Sequence, residues 1–188
     1  EALETTLNEI VRRHASLRTR FIMKDSSPVQ EILPELQISI KQIDLTAVPE
    51  AEREAEALRR AAEETQQPFD LEHGPLLRAA LLQLAPDDHI ALLVMHHIIS
   101  DGWSMNVLLY EIRVIYTACL RGQPDPLPPL PVQYADYAVW QRNWLQGPVM
   151  EEQLAYWKDK LVGLTPMLEL PTDHPRPAVQ SSRGDLYS

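Results

Sequence analysis

The chain has 188 residues, 45% of them hydrophobic and 23% charged, with a formal net charge of −10 at pH 7. That composition fits a soluble domain built round one core, and its acidic balance sets it against phosphate backbones and anionic lipids, so neither nucleic acid nor a membrane is an expected partner. A single cysteine, Cys119, excludes an internal disulfide and suits a cytoplasmic protein, and the longest apolar run, IALLVM, is far shorter than the ~20 residues of a spanning helix.

Residues 1–16 place Leu3, Leu7, Ile10, Val11 and His14 at three- and four-residue steps, the stripe of an amphipathic helix. A helical pattern already running at Glu1, and an ending SSRGDLYS without a cap, read as a piece of a longer chain. LRTRFIM (17–23) and VQEIL (29–33) read as strands across the turn KDSSP, and LQISIKQIDL (36–45) as a further strand. Residues 49–66 open on Pro49 and are rich in Ala, Glu and Arg, which gives a helix with a solvated charged face.

LLRAALLQL (76–84), the turn APDD and HIALLVMHH (89–97) form a strand pair. Ile90, Leu92 and Val94 make one face of the second strand apolar, and Ala91, Leu93 and Met95 the other. That strand is therefore expected at the centre of a sheet, covered on both faces. Ser104 is a candidate cap for a helix carrying Met105, Leu108, Leu109, Ile112, Ile115, Tyr116 and Cys119 at helical spacing, which makes Cys119 a small core residue. GQPDPLPPLP (122–131) reads as an extended segment laid across a surface. Helices near 133–146 and 148–162 carry Trp140, Trp144, Leu154 and Trp157, and the tail LELPTDHPRPAVQSSRG has little pattern. The whole is an α/β fold of the layered α+β kind, a mixed β-sheet covered by helices.

The stretch VMHHIISDGWSM (94–105) concentrates the chemistry. Neighbouring strand residues point to opposite faces, so His96 and His97 cannot both address one site while the chain stays extended. One faces structure and one a cavity, and parity alone leaves open which. A metal needs three or four converging ligands; His97 and Asp101 are close, but His89 and His73 lack ligand spacing, so no metal is expected. Ser100 and Ser104 flank the motif without a Gly-x-Ser-x-Gly elbow, and six glycines in all include no phosphate loop. General-base or positioning chemistry remains: a histidine can take a proton from an amine or hydroxyl, Asp101 can fix the loop or the imidazole, and Gly102 allows close approach of substrate or a turn that a side chain would block. In an arbitrary sequence a His-x-x-x-Asp is better read as a structural pair. The buried strand, the doubled histidine and the Gly-Trp-Ser exit move the reading towards a site.

At these residues the sequence resembles the condensation domains of nonribosomal peptide synthetases, whose His-His-x-x-x-Asp-Gly signature MHHIISDGWS (95–104) matches throughout. RHASLRTRF (13–21) resembles the family's Arg-His-x-x-Leu-Arg-Thr-x-Phe motif, with Ala15 where Glu is frequent, and YADYAVWQ (134–141) resembles its Tyr-x-Asp-Phe/Tyr-Ala-x-Trp motif. The resemblance runs over essentially the whole chain but less than half of the family's domain. It implies a chloramphenicol acetyltransferase-like fold of two lobes. Residues 1–165 would be the N-terminal lobe of an incomplete two-lobe domain, and 166–188 an extended segment leading to a missing C-terminal lobe.

The resemblance further implies an amide-forming acyltransferase of secondary-metabolite and antibiotic biosynthesis. It would join a donor acyl or peptidyl thioester to the amine of an acceptor aminoacyl thioester. Its partners would be donor and acceptor peptidyl carrier proteins and a neighbouring adenylation domain; no cofactor is bound directly, the phosphopantetheine arms coming with the carriers. By position His97 would face the substrate tunnel and deprotonate or hold the amine, and His96 would face structure. Asp101 would be structural, paired with Arg18 or, second, Arg20. Gly102 would lie beside the reacting atoms, and Trp103 and Ser104 near the tunnel, Trp103 being read equally well as a core aromatic. Tyr134, Asp136, Tyr137 and Trp140 fall at helical spacing and read first as packing, with Tyr134 or Asp136 helping to order the site. An epimerization or ester-forming enzyme of the same fold, or a non-catalytic carrier-docking fragment, is the alternative.

Overall fold

The chain folds, in a computed structural model, into five helices and five strands among the described residues, 1–165, 171–173, 175 and 177–179. Most of the 166–188 segment, expected to lead into a second lobe, lies outside them. Two compact units divide between Arg142 and Asn143, inside the stretch that the sequence suggests is one lobe.

Helix α1 (Ala2–Arg13) buries Leu7, Ile10 and Val11, the stripe that its periodicity predicts. It ends where His14 turns extended, at φ −99° and ψ 106°, while the His14 N–H still donates to Ile10 O at 3.0 Å. A 3₁₀ turn, Ala15–Arg18, leads into β1 (Thr19–Lys24), which pairs antiparallel with β2 (Ser27–Ile32). The two residues between them, Asp25 and Ser26, both have positive φ (50° and 63°), as a tight hairpin loop requires.

A second sheet has the order β3-β4-β5, formed by Ile40–Asp44, Leu77–Ala85 and Asp88–Met95. β3 runs parallel to β4, with α2 (Glu50–Gln66) making the crossover, and β4 runs antiparallel to β5, so the sheet is mixed as expected. On one face Leu77 and Ala79 of β4 meet α1 and helix α3 (Gly102–Leu120), in a core that includes Leu108 and Ile115. On the other, Ala80 and Leu82 meet Leu45 and Ala57, the latter from α2.

Here one expectation is corrected. The strand covered on both faces is β4, in which Leu82 is 0% exposed. β5 is an edge strand: its first four residues are exposed and its last four half-buried. Apolar composition reports what a strand can bury, not how many neighbours it has, and β5 has β4 alone among the described residues.

A proline-rich strap (122–133) returns from α3, and Arg13 pins it. The buried Arg13 guanidinium donates to Asp125 Oδ2 at 3.0 Å, to Pro128 O at 3.1 Å and to Leu127 O at 3.4 Å. The Gln133 amide closes the far end, donating to Arg13 O and accepting from Ala15 N, both at 2.9 Å. The extended segment predicted over 122–131 is thus fixed by side-chain bonds rather than by a ladder. α4 (Tyr134–Trp144) follows. Its residue Asp136 accepts from Gln133 N at 2.9 Å, just ahead of the first turn. In the second unit α5 (Pro148–Lys160) starts with Pro at its first position after Gly147, and none of its residues is buried.

Candidate active site

β5 ends at Met95, and the ladder reaches one residue further, with His96 N donating to Leu76 O at 3.0 Å. The two histidines then part company. His96 Nδ1 accepts from the backbone N–H of Ile98 at 3.0 Å, which puts the hydrogen of a neutral ring on Nε2. Its ring meets Phe69 edge-on, centroids 5.9 Å apart, and the Arg78 guanidinium stacks 3.8 Å from the Phe69 centroid. His96 is committed to structure. His97 is exposed and lines a cavity of about 460 Å³.

That cavity lies within the first unit. Met95, Phe21, Ile32 and Val107 give it an apolar wall; His14, Thr19, Gln30, Ser100 and Tyr134 supply polar groups. Asp101, Trp103 and Ser104 line it with His97, whereas Gly102 and Arg18 are not among its lining residues. Trp103 is 81% exposed, which excludes a core aromatic in this chain. The aromatic side chains of α4 are likewise not core: Tyr134, Tyr137 and Trp140 are all exposed and touch one another in series, with centroids 6.0 and 5.7 Å apart.

Asp101, not Ser104, caps α3. Its Oδ1 accepts from Ser104 N at 2.8 Å and from Ser104 Oγ at 2.7 Å, and Asp101 N donates to Ser104 Oγ at 3.2 Å. The reciprocal box satisfies an orphan donor of the first turn and sets the carboxylate at the positive end of the helix. The Ser104 hydroxyl and backbone N–H hold the Asp101 carboxyl below its ordinary value, with His97 adding the smallest contribution.

The expected pairing of Asp101 with Arg18 or Arg20 is therefore corrected: no ion pair joins them. Arg18 donates to Leu33 O and Arg20 pairs with Glu31, both along the β1–β2 hairpin. The physical reason is local. A serine three residues on is already placed by the helix, whereas either arginine is held by its own hairpin. Gly102 starts α3, and a Cβ there would meet nothing within 4 Å, so the turn itself does not need glycine. Open space beside the backbone is what that position offers.

His73 pairs with Asp70 at 2.8 Å in an exposed loop, away from His97. Among the described residues no group of three His, Cys, Asp or Glu side chains could hold a metal, and no helix is long and apolar enough to cross a membrane. In the sequence His14 reads as one more member of the α1 stripe. It lines the cavity with His97, and its Nε2 lies 2.8 Å from Oε2 of Glu111, a carboxylate 4% exposed in the middle of α3. The signal available was its place in RHASLRTRF, beside Arg13.

A helix-covered mixed sheet whose strand ends at a histidine-lined cavity is the architecture of chloramphenicol acetyltransferase-like folds, and solved structures agree. The X-domain from teicoplanin biosynthesis matches 95% of this chain with a TM-score of 0.83 at 29% identity, and 39% of its own length is covered. The epimerization domain from the third module of tyrocidine synthetase B matches 93% with a TM-score of 0.79 at 26% identity, again over 39% of its length. The chain belongs to the Condensation domain family, which it matches over residues 1–188. A linear gramicidin synthase protein of Brevibacillus parabrevis is 53% identical over the full 188 residues. Those residues span 2% of that synthase protein, so the chain corresponds to a small part of a far longer relative.

Proposed function

We propose that this chain supplies the histidine-bearing wall of a site that joins a donor acyl or peptidyl thioester to the amine of an acceptor aminoacyl thioester. Both substrates would arrive on phosphopantetheine arms of carrier proteins, within a synthetase that also holds an adenylation domain. Residues 1–165 form the N-terminal lobe in this reading, and the tail from 166 leads to a C-terminal lobe. The observation that carries it is the division of labour in the doubled histidine: His96 is spent on Ile98 and Phe69, and His97 is left open to the cavity. An edge strand apolar on both faces supports a further covering layer, because such a strand has more to bury than β4 provides.

The amine nitrogen attacks the thioester carbonyl, the carbon–sulfur bond breaks, and the thiol of the donor arm leaves. The proton lost by the nitrogen passes to His97 or directly to the departing sulfur. The demand on the base is modest, because a thioester is already activated and an α-amine titrates near ~8. A positioned base typically contributes ~10²–10⁴-fold, whereas aligned reactants reach effective molarities of ~10⁵–10⁸ M. Tethered delivery therefore outweighs proton transfer. Asp101 holds the loop from His97 into α3 through its cap, Gly102 leaves room at the backbone, and Trp103 and Ser104 sit at the cavity rim.

Likeness to an epimerization domain supports a second reading on the same fold. The complete two-lobe domain separates them when mixed with loaded donor and acceptor carriers and read by mass spectrometry of the carriers and chiral analysis of the aminoacyl groups released from them. Condensation predicts acceptor carrier heavier by the donor acyl group. An inverted stereocentre without mass gain would favour epimerization, and carrier binding without either product would favour a docking scaffold.

A further inference from the structure

His14 has an edge to spare. A carboxylate oxygen only accepts, so the 2.8 Å contact with Glu111 Oε2 puts a hydrogen on His14 Nε2. In the neutral ring that leaves Nδ1 as a bare acceptor, and among the described residues no donor meets it. Glu111 cannot turn away. Arg13 Nη2 lies 3.3 Å from its Oε1 and Arg13 Nε 3.3 Å from its Oε2, with both side chains almost fully buried. Trading His14 for another partner would leave a buried carboxylate short of a donor. The backbone is equally fixed, because the Gln133 amide bonds on either side of His14.

The ring is thus held in one tautomer in the wall of the cavity that also holds His97. Ile10 and Leu17 line the same cavity, and an acceptor among apolar residues and a few polar ones orients a ligand that carries a donor.

We propose that His14 is a substrate-positioning residue whose Nδ1 accepts a hydrogen bond from an amide or amine N–H of the thioester substrates, with Glu111 fixing the tautomer that makes this possible. The inference rests on the condensation reading. The N–H belongs either to the aminoacyl group or to the carrier arm, and both are reached by one experiment on the complete domain.

Glutamine and asparagine divide the two edges of a histidine. In H14Q the side-chain amide keeps the donor to Glu111 and loses the acceptor at the Nδ1 position; in H14N the oxygen stands near Nδ1 and the bond to Glu111 is lost. Turnover and melting temperature are measured for both with loaded carriers. The expected result is a wild-type melting temperature for H14Q with kcat/KM down about tenfold, the size of one lost hydrogen bond. H14N melts lower and keeps more of its activity. The reverse order, H14Q active and H14N inactive, or unchanged turnover in H14Q, overturns the proposal and leaves His14 a packing residue. A wild-type domain that forms no amide would instead overturn the condensation reading. Repeating H14Q with aminoacyl thioesters of a simple thiol lacking amides assigns the donor: a persisting defect places the N–H on the aminoacyl group, and its disappearance places it on the arm.

Discussion

The cavity has two unlike sides. Behind the side that carries His14, the end of α1 is locked to the middle of α3 and to the proline-rich strap by charge: Arg13 reaches Glu111, Asp125 and two strap carbonyls, and His14 shares Glu111. The rim made by the end of β5 and the start of α3 is open, with His97 exposed, Trp103 81% exposed and β5 at a sheet edge. The locked wall sets geometry, and the open rim is where a reacting group can be offered to something that arrives. Stability and chemistry are therefore expected to separate by region, and substitutions can test how cleanly.

The largest stability effect belongs to Arg13. Arg13→Met leaves the buried Glu111 and the half-buried Asp125 without their cation, and removing one partner of a buried pair costs about 3–5 kcal/mol. Chemical denaturation of the complete domain checks this; a loss below about 1 kcal/mol would show that the wall is not locked by charge. Next come the two strands. Leu82→Ala in β4 removes a fully buried side chain and is expected to cost about 2–5 kcal/mol. In this chain Leu92→Ala in the half-buried end of β5 costs less, about 1 kcal/mol. If the gap closes in the complete domain, β5 has gained a cover there.

Asp101 gives smaller stability effects, and they carry more information about the rim. Asp101→Ala removes the α3 cap and is expected to lower melting temperature by a few degrees together with turnover. An inactive variant with unchanged melting would give Asp101 a direct chemical role instead. Asp101→Asn keeps a capping oxygen and removes the charge. The folded carboxyl titrates below its ordinary value of 3.8, so its charge stabilises the fold fully above that pH and ceases to as pH falls through the lower folded value. Melting curves of wild type and Asp101→Asn should differ slightly at pH 7 and converge below pH 3.8.

Much of this is legible in the sequence. The α1 stripe, the hairpin across Asp25 and Ser26 and the separation of His96 from His97 all follow from local period and parity. What is not legible depends on distance along the chain. Arg13 and Glu111 stand 98 residues apart, and nothing in either neighbourhood announces the other. The edge position of β5 is hidden for the same reason, because a strand's neighbours are set by topology. The Asp101 cap is misassigned for the opposite reason: a partner is sought far upstream when Ser104 stands three residues away.

The separation of the two sides is tested most directly at His97. The complete domain and its His97→Ala variant are compared by melting temperature and by single-turnover amide formation between loaded carriers. The expected outcome is a melting temperature within about a degree of wild type, because an exposed side chain is lost, and amide formation slowed by about 10²-fold or more. Near-normal turnover by the variant would contradict the account, since it would leave the open rim without the group that does its chemistry.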